Sequence, residues 1–571
     1  MKTSSRLNPR LWLVTAGLAA MLMLSPQTSH ANSATWNPNP ESGYWEDPLN
    51  WTPYGFPNDP SDVATFNAST TTDVFNDGSP ALAGIVFNGN TFTISSGSGG
   101  GIIFVGYGIA NNSGNVQNFL VGLGVNVTSG GYITFLNGAT AGINTAFTAS
   151  SGPGTGAGNI GFNGTSTADH GTFTMNGGAV SGDSGGSLSF GESSTADHGT
   201  FIANGGVSGD YTTGGGIGFT DTSTAAFGIF TVNGGTGGDP SGRGGSLTFI
   251  GSSTAGNATL IANGGTSGGG SILFAVDSTG GTARVELFGN GNLVLEHNAP
   301  GVTIGSIEGT GNVFLGVVSL DGSQHLTVGS NDDDTTFSGH IDDSGFHGSF
   351  TKIGNGILTF QGRATNDYIA ATVSLNLLSG SIINLNYTGA PDIIASLTVD
   401  GVVQPPGVYG SATSGAPHQL PEFAGLGTVQ VTMGPTPTPT PTPTQSPTPT
   451  PMPHPAFFAG ETALGGGWYY LQFANGTPFG YYSYLADQNF IYHIDLGYEY
   501  LFDANDANHG IFFYDFASTS FFYTSPSAFP YLYDFSLNAW LYYLPDVNNP
   551  GRYTHNPRWF FNFATGQWIT L

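Results

Sequence analysis

The chain of 571 residues contains no cysteine and few charged residues. Without cysteine there are no disulfide bonds and no thiolate metal sites, so packing between segments must hold the fold together. Only 8% of the residues are charged, and nine Lys and Arg stand against 37 Asp and Glu. The formal net charge of −28 makes nucleic acid and anionic membrane surfaces poor partners.

Long hydrophobic runs are scarce, and the one clear example lies in the first 31 residues. Three basic residues accompany an apolar stretch at 11–24, and Ser29-His30-Ala31 has the small-x-small pattern of a cleavage site. Residues 1–31 are therefore predicted to be a secretory signal peptide. No later run approaches the ~20 apolar residues of a transmembrane helix, so we expect an exported protein without one.

What the chain does contain is an internal repeat. Four copies of Ser-Thr-Ala are each followed ten residues later by Asn-Gly-Gly, at intervals of 28, 29 and 30 residues in both series. The Ser-Thr-Ala copies begin at Ser166, Ser194, Ser223 and Ser253, and the Asn-Gly-Gly copies at Asn176, Asn204, Asn233 and Asn263. A fixed period with two apolar mini-runs per unit indicates the coils of a β-solenoid, because one unit alone cannot bury its inward face.

The residues between the motifs favour strands over helices. They are mainly Gly, Ser, Thr and Asn, with few of the residues that sustain helices. Stacked coils place equivalent positions roughly 4.8 Å apart, so we expect the four repeat asparagines to form an amide ladder. We also expect Phe201, Phe230 and Leu260 to point inward at one level of the coil.

The sequence predicts an all-β protein of five segments. Residues 1–31 are the signal peptide, 32–95 a Trp-rich N-terminal cap, and 96–433 a right-handed parallel β-helix with repeats of 28–30 residues. Residues 434–455 are an extended Pro/Thr linker, because proline fixes φ and lacks an amide hydrogen. Residues 456–571 form an aromatic β-hairpin module.

The last segment holds 35 Phe, Tyr and Trp among 116 residues. Three stretches share the pattern aromatic-Asp/Asn-Phe followed by another aromatic five residues later. They are Tyr514-Asp515-Phe516 with Phe521, Tyr533-Asp534-Phe535 with Trp540, and Phe561-Asn562-Phe563 with Trp568. Each predicts two strands joined by a four-residue turn, with aromatic side chains paired across the hairpin.

Part of the repeat region resembles a known family. The stretches 336–341, 348–362 and 378–382, among them Thr351-Lys352-Ile353-Gly354-Asn355-Gly356, are similar to the autotransporter-associated β-strand repeat of exported bacterial β-helix proteins. The entry segment and residues 394–431 also resemble the ends of such proteins. The resemblance implies a right-handed parallel β-helix displayed outside the cell, and it supplies no catalytic residues.

The tail departs from that family. Autotransporters end in a membrane β-barrel with alternating apolar and polar residues, whereas Trp559-Phe560-Phe561 breaks strict alternation and the tail is short for a single-chain translocator. We therefore expect no typical translocator barrel, and a small trimeric anchor is the alternative. The hairpins bear a looser likeness to choline-binding and glucan-binding modules.

An acidic stretch in the repeat region raises the question of catalysis. Asp332-Asp333-Asp334, Asp342-Asp343 and His347 resemble elements of polygalacturonases, in which paired carboxylates cleave a glycosidic bond. Those elements come from successive coils, whereas here they fall within 22 residues. A lyase would need a basic residue beside Ca²⁺-binding acids, and Lys352 is the one lysine after residue 31.

Two Asp-His pairs present a metal-site alternative. Asp169-His170 and Asp197-His198 would stack on adjacent coils and offer metal ligands. The next coil has Ala226-Phe227 at that place, so we favour a solvated turn. No metal site, cofactor or catalytic residue is predicted.

These observations favour an exported, non-enzymatic surface or matrix protein, a β-helical stalk with a tail that binds polysaccharide or envelope glycan. The predicted ligand-binding residues are Trp540, Trp568, Tyr514 and Tyr533, because tyrosine and tryptophan offer flat faces to sugars and tolerate water. For the two tryptophans, stacking together in the core is the favoured alternative to lining a ligand groove. The rival interpretation is a secreted polysaccharide-degrading enzyme, a lyase or glycoside hydrolase, whose tail is a carbohydrate-binding module.

Overall fold

The structure is a computed structural model of the chain. It describes residues 33–571 except 98, 123–129, 152–155, 181, 208–211, 237–242, 299–300, 317–322, 435–454 and 486–488. The predicted signal peptide and nearly all of the predicted linker therefore lie outside the described residues. The chain divides into two compact units, residues 1–438 and 439–571.

The first unit is a parallel β-solenoid of about 12 turns, which confirms the predicted all-β repeat fold. Two sheets of fourteen strands form its main faces. The first sheet contains, in spatial order, Trp51–Thr52, Ala34–Trp36, Val63–Phe66, Ala81–Phe87, Gly101–Asn111, Tyr132–Phe135, Asn159–Phe162, Ser187–Phe190, Gly216–Phe219, Ser246–Phe249, Ser271–Ala275, Asn292–Glu296, Asn312–Leu315 and His340–Asp342. The second contains Asp73–Asn76, Thr93–Ser96, Gln117–Val121, Thr145–Ala149, Thr172–Met175, Thr200–Ala203, Ile229–Val232, Thr259–Ala262, Arg284–Leu287, Ser306–Gly309, Thr335–Phe337, Ile357–Phe360, Ile382–Leu385 and Phe423–Gly425.

Two smaller sheets complete the later coils. The third sheet contains Val302–Ile304, His325–Val328, Ser349–Lys352, Ser374–Leu377, Leu397–Val399 and Val402–Val403, and the fourth contains Asp392–Ile394, Thr428–Val431, Gly407–Gly410 and His418–Gln419. The spacing of equivalent strands shortens toward this region. Ser246, Ser271, Asn292 and Asn312 share one position at intervals of 25, 21 and 20 residues, so the 28–30 residue period does not extend to 433.

Stacked phenylalanine rings run through the core of the solenoid as far as Phe274, and aliphatic residues such as Leu293 and Leu295 follow them. Phe173, Phe201 and Phe230 follow one another at ring-centroid distances of 5.1 and 4.5 Å. Leu260 pairs with Phe230 in the next coil, and these residues are fully buried, so the predicted inward level is confirmed. Inward and outward side chains alternate in the same way along each strand, so a residue of one coil packs against the equivalent residue of the next coil.

The Asn-Gly-Gly motif forms the predicted amide ladder. The Nδ2 atoms of Asn204, Asn233 and Asn263 each donate to the Oδ1 atom of the preceding asparagine, at 3.0, 2.9 and 2.8 Å. Asn176 begins the ladder by donating to Ser150 Oγ at 2.9 Å. The ladder thus ties five successive coils together through side chains, in addition to their backbone hydrogen bonds.

The Ser-Thr-Ala motif builds the opposite corner. Its threonines form a row of single parallel bridges between coils, as Thr167, Thr195 and Thr224 illustrate. Each threonine hydroxyl accepts a hydrogen bond from the amide two residues on, where the backbone turns through positive φ. The serine and alanine of each copy are buried. The motif therefore encodes a turn that the threonine hydroxyl caps and that buries the serine and the alanine.

The N-terminal cap merges with the coils earlier than the predicted boundary at 96. The strands Val63–Phe66 and Asp73–Asn76 already belong to the first and second sheets. Only the antiparallel strand Trp51–Thr52 and the 3₁₀ turn Pro48–Asn50 lie outside the parallel stack. Trp36, Trp45 and Trp51 are buried there and pack edge to face at 4.8–5.1 Å, so they cover the first coil.

The second unit is one antiparallel sheet of eleven strands in chain order, preceded by the 3₁₀ turn Ala456–Phe458. The strands are Thr462–Gly465, Trp468–Gln472, Pro478–Tyr484, Phe490–His493, Gly497–Asp503, Ile511–Asp515, Ser520–Thr524, Tyr531–Asp534, Ala539–Tyr543, Trp559–Asn562 and Gln567–Thr570. One face buries the module's own core, in which Leu501, Phe513, Phe522, Leu532 and Leu541 take part.

The three predicted hairpins are confirmed, each with a four-residue turn. Their aromatic pairs meet across the strands at ring-centroid distances of 5.0 Å for Tyr514 and Phe521, 5.5 Å for Tyr533 and Trp540, and 5.3 Å for Phe561 and Trp568. The Asp or Asn before each turn accepts hydrogen bonds from two turn amides, as Asp534 does from Ser536 and Leu537. Local side-chain capping thus fixes each turn.

Candidate functional site

The outer face of the tail sheet is lined by aromatic side chains. In most strands from Phe490 to Thr570 the buried positions alternate with outward positions, and the outward ones are Phe, Tyr or Trp. Many remain exposed despite the neighbouring rings, among them Tyr498, Phe502, Phe512, Phe521, Tyr531, Trp540, Trp559 and Trp568. Exposed apolar surface that is contiguous over so many strands marks an interaction face.

The register of the strands aligns these rings in three rows that cross the sheet. The first row is Phe490, Tyr500, Tyr514 and Phe521; the second is Phe502, Phe512, Tyr523, Tyr533 and Trp540; the third is Tyr531, Tyr542, Phe561 and Trp568. Neighbouring strands are about 4.8 Å apart, so a ring recurs at nearly that interval along each row. An extended ligand that crosses the strands would meet one ring per strand.

The structure places the predicted ligand-binding residues on this face. Tyr514 lies in the first row, Tyr533 and Trp540 in the second, and Trp568 in the third. Trp540 and Trp568 are 40% and 47% exposed, so the expectation that they stack together in the core is wrong. The reason is alternation: Ala539 and Leu541 take the buried positions on either side of Trp540.

Hydrogen bonds orient two of the tyrosine rings. Tyr523 donates its hydroxyl to Asp506 Oδ2 at 2.6 Å, and Tyr533 donates to Asn538 Oδ1 at the same distance. The bond to Asp506 raises the pKa of Tyr523, and it lowers the pKa of Asp506. The second row therefore presents rings of fixed orientation, with oxygen atoms at their edges.

Several charged groups of the tail are buried beneath the sheet. Arg558 is buried and donates to both carboxylate oxygens of Asp515, at 3.0 and 2.7 Å. Burial and the neighbouring Asp515 raise the pKa of Glu499 well above its usual range. None of the outward strand positions in the three rows carries a charge. The face therefore suits an uncharged ligand.

The acidic stretch of the solenoid supports its own turns. Asp332 Oδ1 accepts the amide of Asn355, and Asp334 Oδ1 accepts the amide of Ile357, both at 2.7 Å. Asp343 is buried and accepts the amides of two glycines and the hydroxyl of Thr372. These carboxylates hold successive coils in register.

Lys352 is buried among these coils. Its Nζ donates to the carbonyl of Ile353 at 2.6 Å, and burial lowers the pKa of its amine. The charges of Asp332 and Asp334 oppose this shift in part. The lysine therefore lies inside the solenoid wall, with its amine committed to a backbone carbonyl.

The two Asp-His pairs stack as expected, on neighbouring coils. The rings of His170 and His198 are 5.1 Å apart, and Phe227 continues the stack at 5.1 Å. Each histidine Nδ1 contacts the preceding aspartate, at 2.5 and 2.6 Å. Within the described part of the chain, no three His, Cys, Asp or Glu side chains group together as metal ligands.

Comparison with known proteins adds no relative. No protein-family model, curated protein or solved structure matches the chain. Among the described residues, no helix has the length and apolar character needed to cross a bilayer.

The sequence patterns missed several of the outer-face rings. The hairpin motif singled out Tyr514, Phe521, Tyr533, Trp540, Phe561 and Trp568, whereas Phe512 and Tyr523 lie in the second row and do not belong to the motif. The position of each residue relative to the hairpin turn could have identified these rings. Every second residue of Ile511–Asp515 and Ser520–Thr524 points outward, so counting from the turn would have assigned these rings to the outer face.

Proposed function

We propose that this is an exported, non-enzymatic surface or matrix protein, in which the solenoid is a stalk and the tail binds neutral glycans. The observation that carries the proposal is the outer face of the tail sheet, with three rows of aromatic rings and no charged side chain among them. Aromatic rings stack on the apolar faces of sugars, while tyrosine hydroxyls tolerate the surrounding water.

The charge of the protein supports an uncharged glycan over an acidic one. With 37 acidic residues against nine basic ones, the protein would repel uronic acids, sulfated sugars and phosphate polymers. An extended neutral chain lying across the strands would contact one ring per strand. Many weak stacking contacts along one polymer add up through multivalency.

In this proposal the protein is exported and belongs among the proteins with the autotransporter-associated β-strand repeat. The basic and apolar leader supports export. The repeat at 336–382 supports membership among exported proteins with the autotransporter-associated β-strand repeat, and the parallel solenoid is compatible with it. A position on the cell surface or in the extracellular matrix would give an aromatic glycan-binding face its ligand.

The experiment that tests this function is a pull-down of the full-length protein with insoluble cellulose, chitin, starch and mannan. We expect retention on at least one polysaccharide, and a loss of about tenfold in affinity for a Trp540→Ala/Tyr533→Ala double variant. Ile202→Ala, on the outward side of a solenoid strand, is the control and should bind like wild type. Failure of the wild-type protein to bind any polysaccharide or isolated cell envelope would refute the proposal.

The same samples test the rival enzymatic interpretation. Release of soluble oligosaccharides by the wild-type protein, lost in an Asp342→Asn/Asp343→Asn double variant, would establish catalysis in the acidic stretch. We expect no release, because Asp343 is committed to two backbone amides and a threonine hydroxyl.

A further inference from the structure

A pocket opens at one end of the third aromatic row. Its volume is about 500 Å³, and it lies entirely within the tail module. The hairpin turn at residues 475–478 forms one side, the loop at 545–553 forms another, and Tyr531 and Tyr542 form the aromatic wall. The pocket thus joins the outer face to two loops whose side chains the hairpin motif does not include.

The aromatic wall is continuous with the row. Tyr531 and Tyr542 are cross-strand partners with ring centroids 5.2 Å apart, and Tyr542 is in turn the partner of Phe561. Tyr531 remains 43% exposed. A polymer stacked along the third row would therefore reach the pocket with its sugar rings already beside tyrosine.

The pocket also contains charged groups, which none of the side chains in the aromatic rows carries. Asp546 and Arg552 line it together. Hydrogen bonds from the Asn549 side chain and the Asn548 amide lower the pKa of Asp546, so its carboxylate is ionised at neutral pH. A carboxylate accepts several hydrogen bonds, and Arg552 keeps N–H donors beyond those that its Nε and Nη2 direct at Asp495, so the two residues can bind hydroxyl groups of one sugar.

Buried contacts hold both loops in place. Arg552 Nε donates to Asp495 Oδ1 at 2.7 Å, and the Tyr553 amide donates to Asp495 Oδ2 at 2.9 Å. Tyr553 is buried, and its hydroxyl donates to the carbonyl of Pro478 at 2.7 Å, which links the loop to the hairpin turn. A preformed pocket loses little conformational entropy when it binds a ligand.

We infer that this pocket is the specificity subsite of the tail, which holds one neutral hexose unit between Tyr531, Tyr542, Asp546 and Arg552. The inference rests on the proposed glycan binding by the aromatic face. The rows would supply affinity with little selectivity, because a stacked ring discriminates poorly among sugars. The charged pair would select the configuration of the hydroxyl groups, because a mismatched sugar leaves those groups unpaired.

The test compares the binding selectivity of full-length variants on cellulose, chitin, starch and mannan. Asp546→Ala should lose about tenfold in affinity for the preferred polysaccharide and much of the preference over the others. Asp546→Asn keeps an oxygen acceptor for the Asn548 amide, so it should preserve the fold of the loop while it removes the charge. It should change the affinity ranking of the four polysaccharides in the same way as Asp546→Ala. Val547→Ala is the matched control, since this neighbour in the same loop is 88% exposed and does not line the pocket.

Trp540→Ala provides the contrasting result, because it should weaken binding to all four polysaccharides without changing their order. If both Asp546 variants keep the wild-type ranking, or lower all affinities equally, the subsite assignment is wrong while glycan binding by the aromatic face stands. If the wild-type protein binds neither these polysaccharides nor isolated cell envelope, both the subsite and the proposed function are refuted.

Discussion

Phe201 shows how much a single residue can contribute to a stacked fold. Its ring lies between Phe173 and Phe230 in the solenoid core and contacts Phe190 edge to face at 5.8 Å. Because the same position is repeated in every coil, a cavity at Phe201 removes contacts on both sides. The neighbouring coils cannot close the gap without breaking their own register.

We therefore expect Phe201→Ala to destabilise the solenoid by about 3–5 kcal/mol, and Phe201→Asp to be more damaging because it buries an unpaired charge. Ile202→Ala, on the outward side of the same strand, should change the stability by no more than about 1 kcal/mol. Thermal unfolding of the purified variants measures these differences. Equal melting temperatures for Phe201→Ala and Ile202→Ala would contradict the assigned core.

Asp392 is a buried carboxyl group whose shifted pKa makes the stability of the solenoid depend on pH. Burial raises its pKa to about 8, although the amides of Tyr368 and Ile369 donate to its Oδ2 atom. In the unfolded chain the pKa of an aspartate is about 3.9, so between these values the folded state binds more protons. The stabilising contribution is complete at pH values below about 4 and is lost as the pH rises to about 8.

Asp392→Asn should remove this contribution to the pH dependence. The difference in unfolding free energy between wild type and variant is expected to change steadily between pH 4 and pH 8, to the disadvantage of the wild type at high pH. Denaturant unfolding of both proteins at several pH values measures this difference. The other acids of the chain are common to the two proteins, so their contributions cancel when the two free energies are subtracted. Parallel pH profiles for the two proteins would contradict a raised pKa.

At the scale of the structural element, the asparagine ladder connects successive coils through side-chain hydrogen bonds. Asn204 takes part in two ladder bonds, since it donates to Asn176 and accepts from Asn233. Asn263 ends the series and makes one, to Asn233. The two positions therefore offer a matched comparison within a single element.

Asn204→Ala should cost about twice as much stability as Asn263→Ala, with about 1 kcal/mol per lost hydrogen bond. Amide hydrogen exchange in the flanking strands Thr200–Ala203 and Thr259–Ala262 reports the effect locally, which avoids assuming that the whole solenoid unfolds in one step. Equal protection in the two variants would mean that the ladder contributes no coupling between coils.

Much of this element-level structure was predictable from the sequence. The ladder, the inward level of Phe201 and the three hairpins follow from repeat spacing and turn residues, which are local properties. The early start of the coils at Val63–Phe66 and the third sheet from Val302–Ile304 were not predictable, since the repeats there are too irregular to align. Local spacing cannot show which distant segments share a sheet.

The candidate site was predicted only in part, for a physical reason. Period-2 patterns reveal the buried face of a strand when the other face is polar. In Ala539–Tyr543 both faces carry aromatic residues, so Trp540 and Tyr543 look equivalent although one is exposed and the other is buried. The pocket beside Tyr531 depends on loops far apart in the chain, for which the sequence contains no signal.

At the scale of the whole molecule, the two units differ in the source of their stability. In the solenoid, each coil contacts its neighbours in sequence, so stability accumulates from repeated interfaces. In the tail, the pairs Arg558–Asp515 and Arg552–Asp495 join segments that are 43 and 57 residues apart. Loss of one coil contact should therefore act locally in the stalk, whereas loss of one tail ion pair should affect the entire sheet.

The scarcity of basic side chains has a consequence for digestion of the native protein. Six of the nine Lys and Arg follow residue 31, and among them Lys352 and Arg558 are buried. Arg284, Arg363 and Arg552 form ion pairs with neighbouring acids, whereas Arg243 is exposed. Trypsin cuts after Lys and Arg in accessible, locally unfolded segments.

We expect trypsin to cleave the native solenoid and tail at Arg243 alone, and all six sites to be cut after denaturation. Gel electrophoresis with mass spectrometry identifies the fragments, and an Arg243→Gln variant should remain intact under native conditions. Rapid native cleavage at Arg284 or Arg552 would contradict the ordering of those segments. The folded solenoid and tail would thus offer a single point of attack to proteases that cut after lysine or arginine.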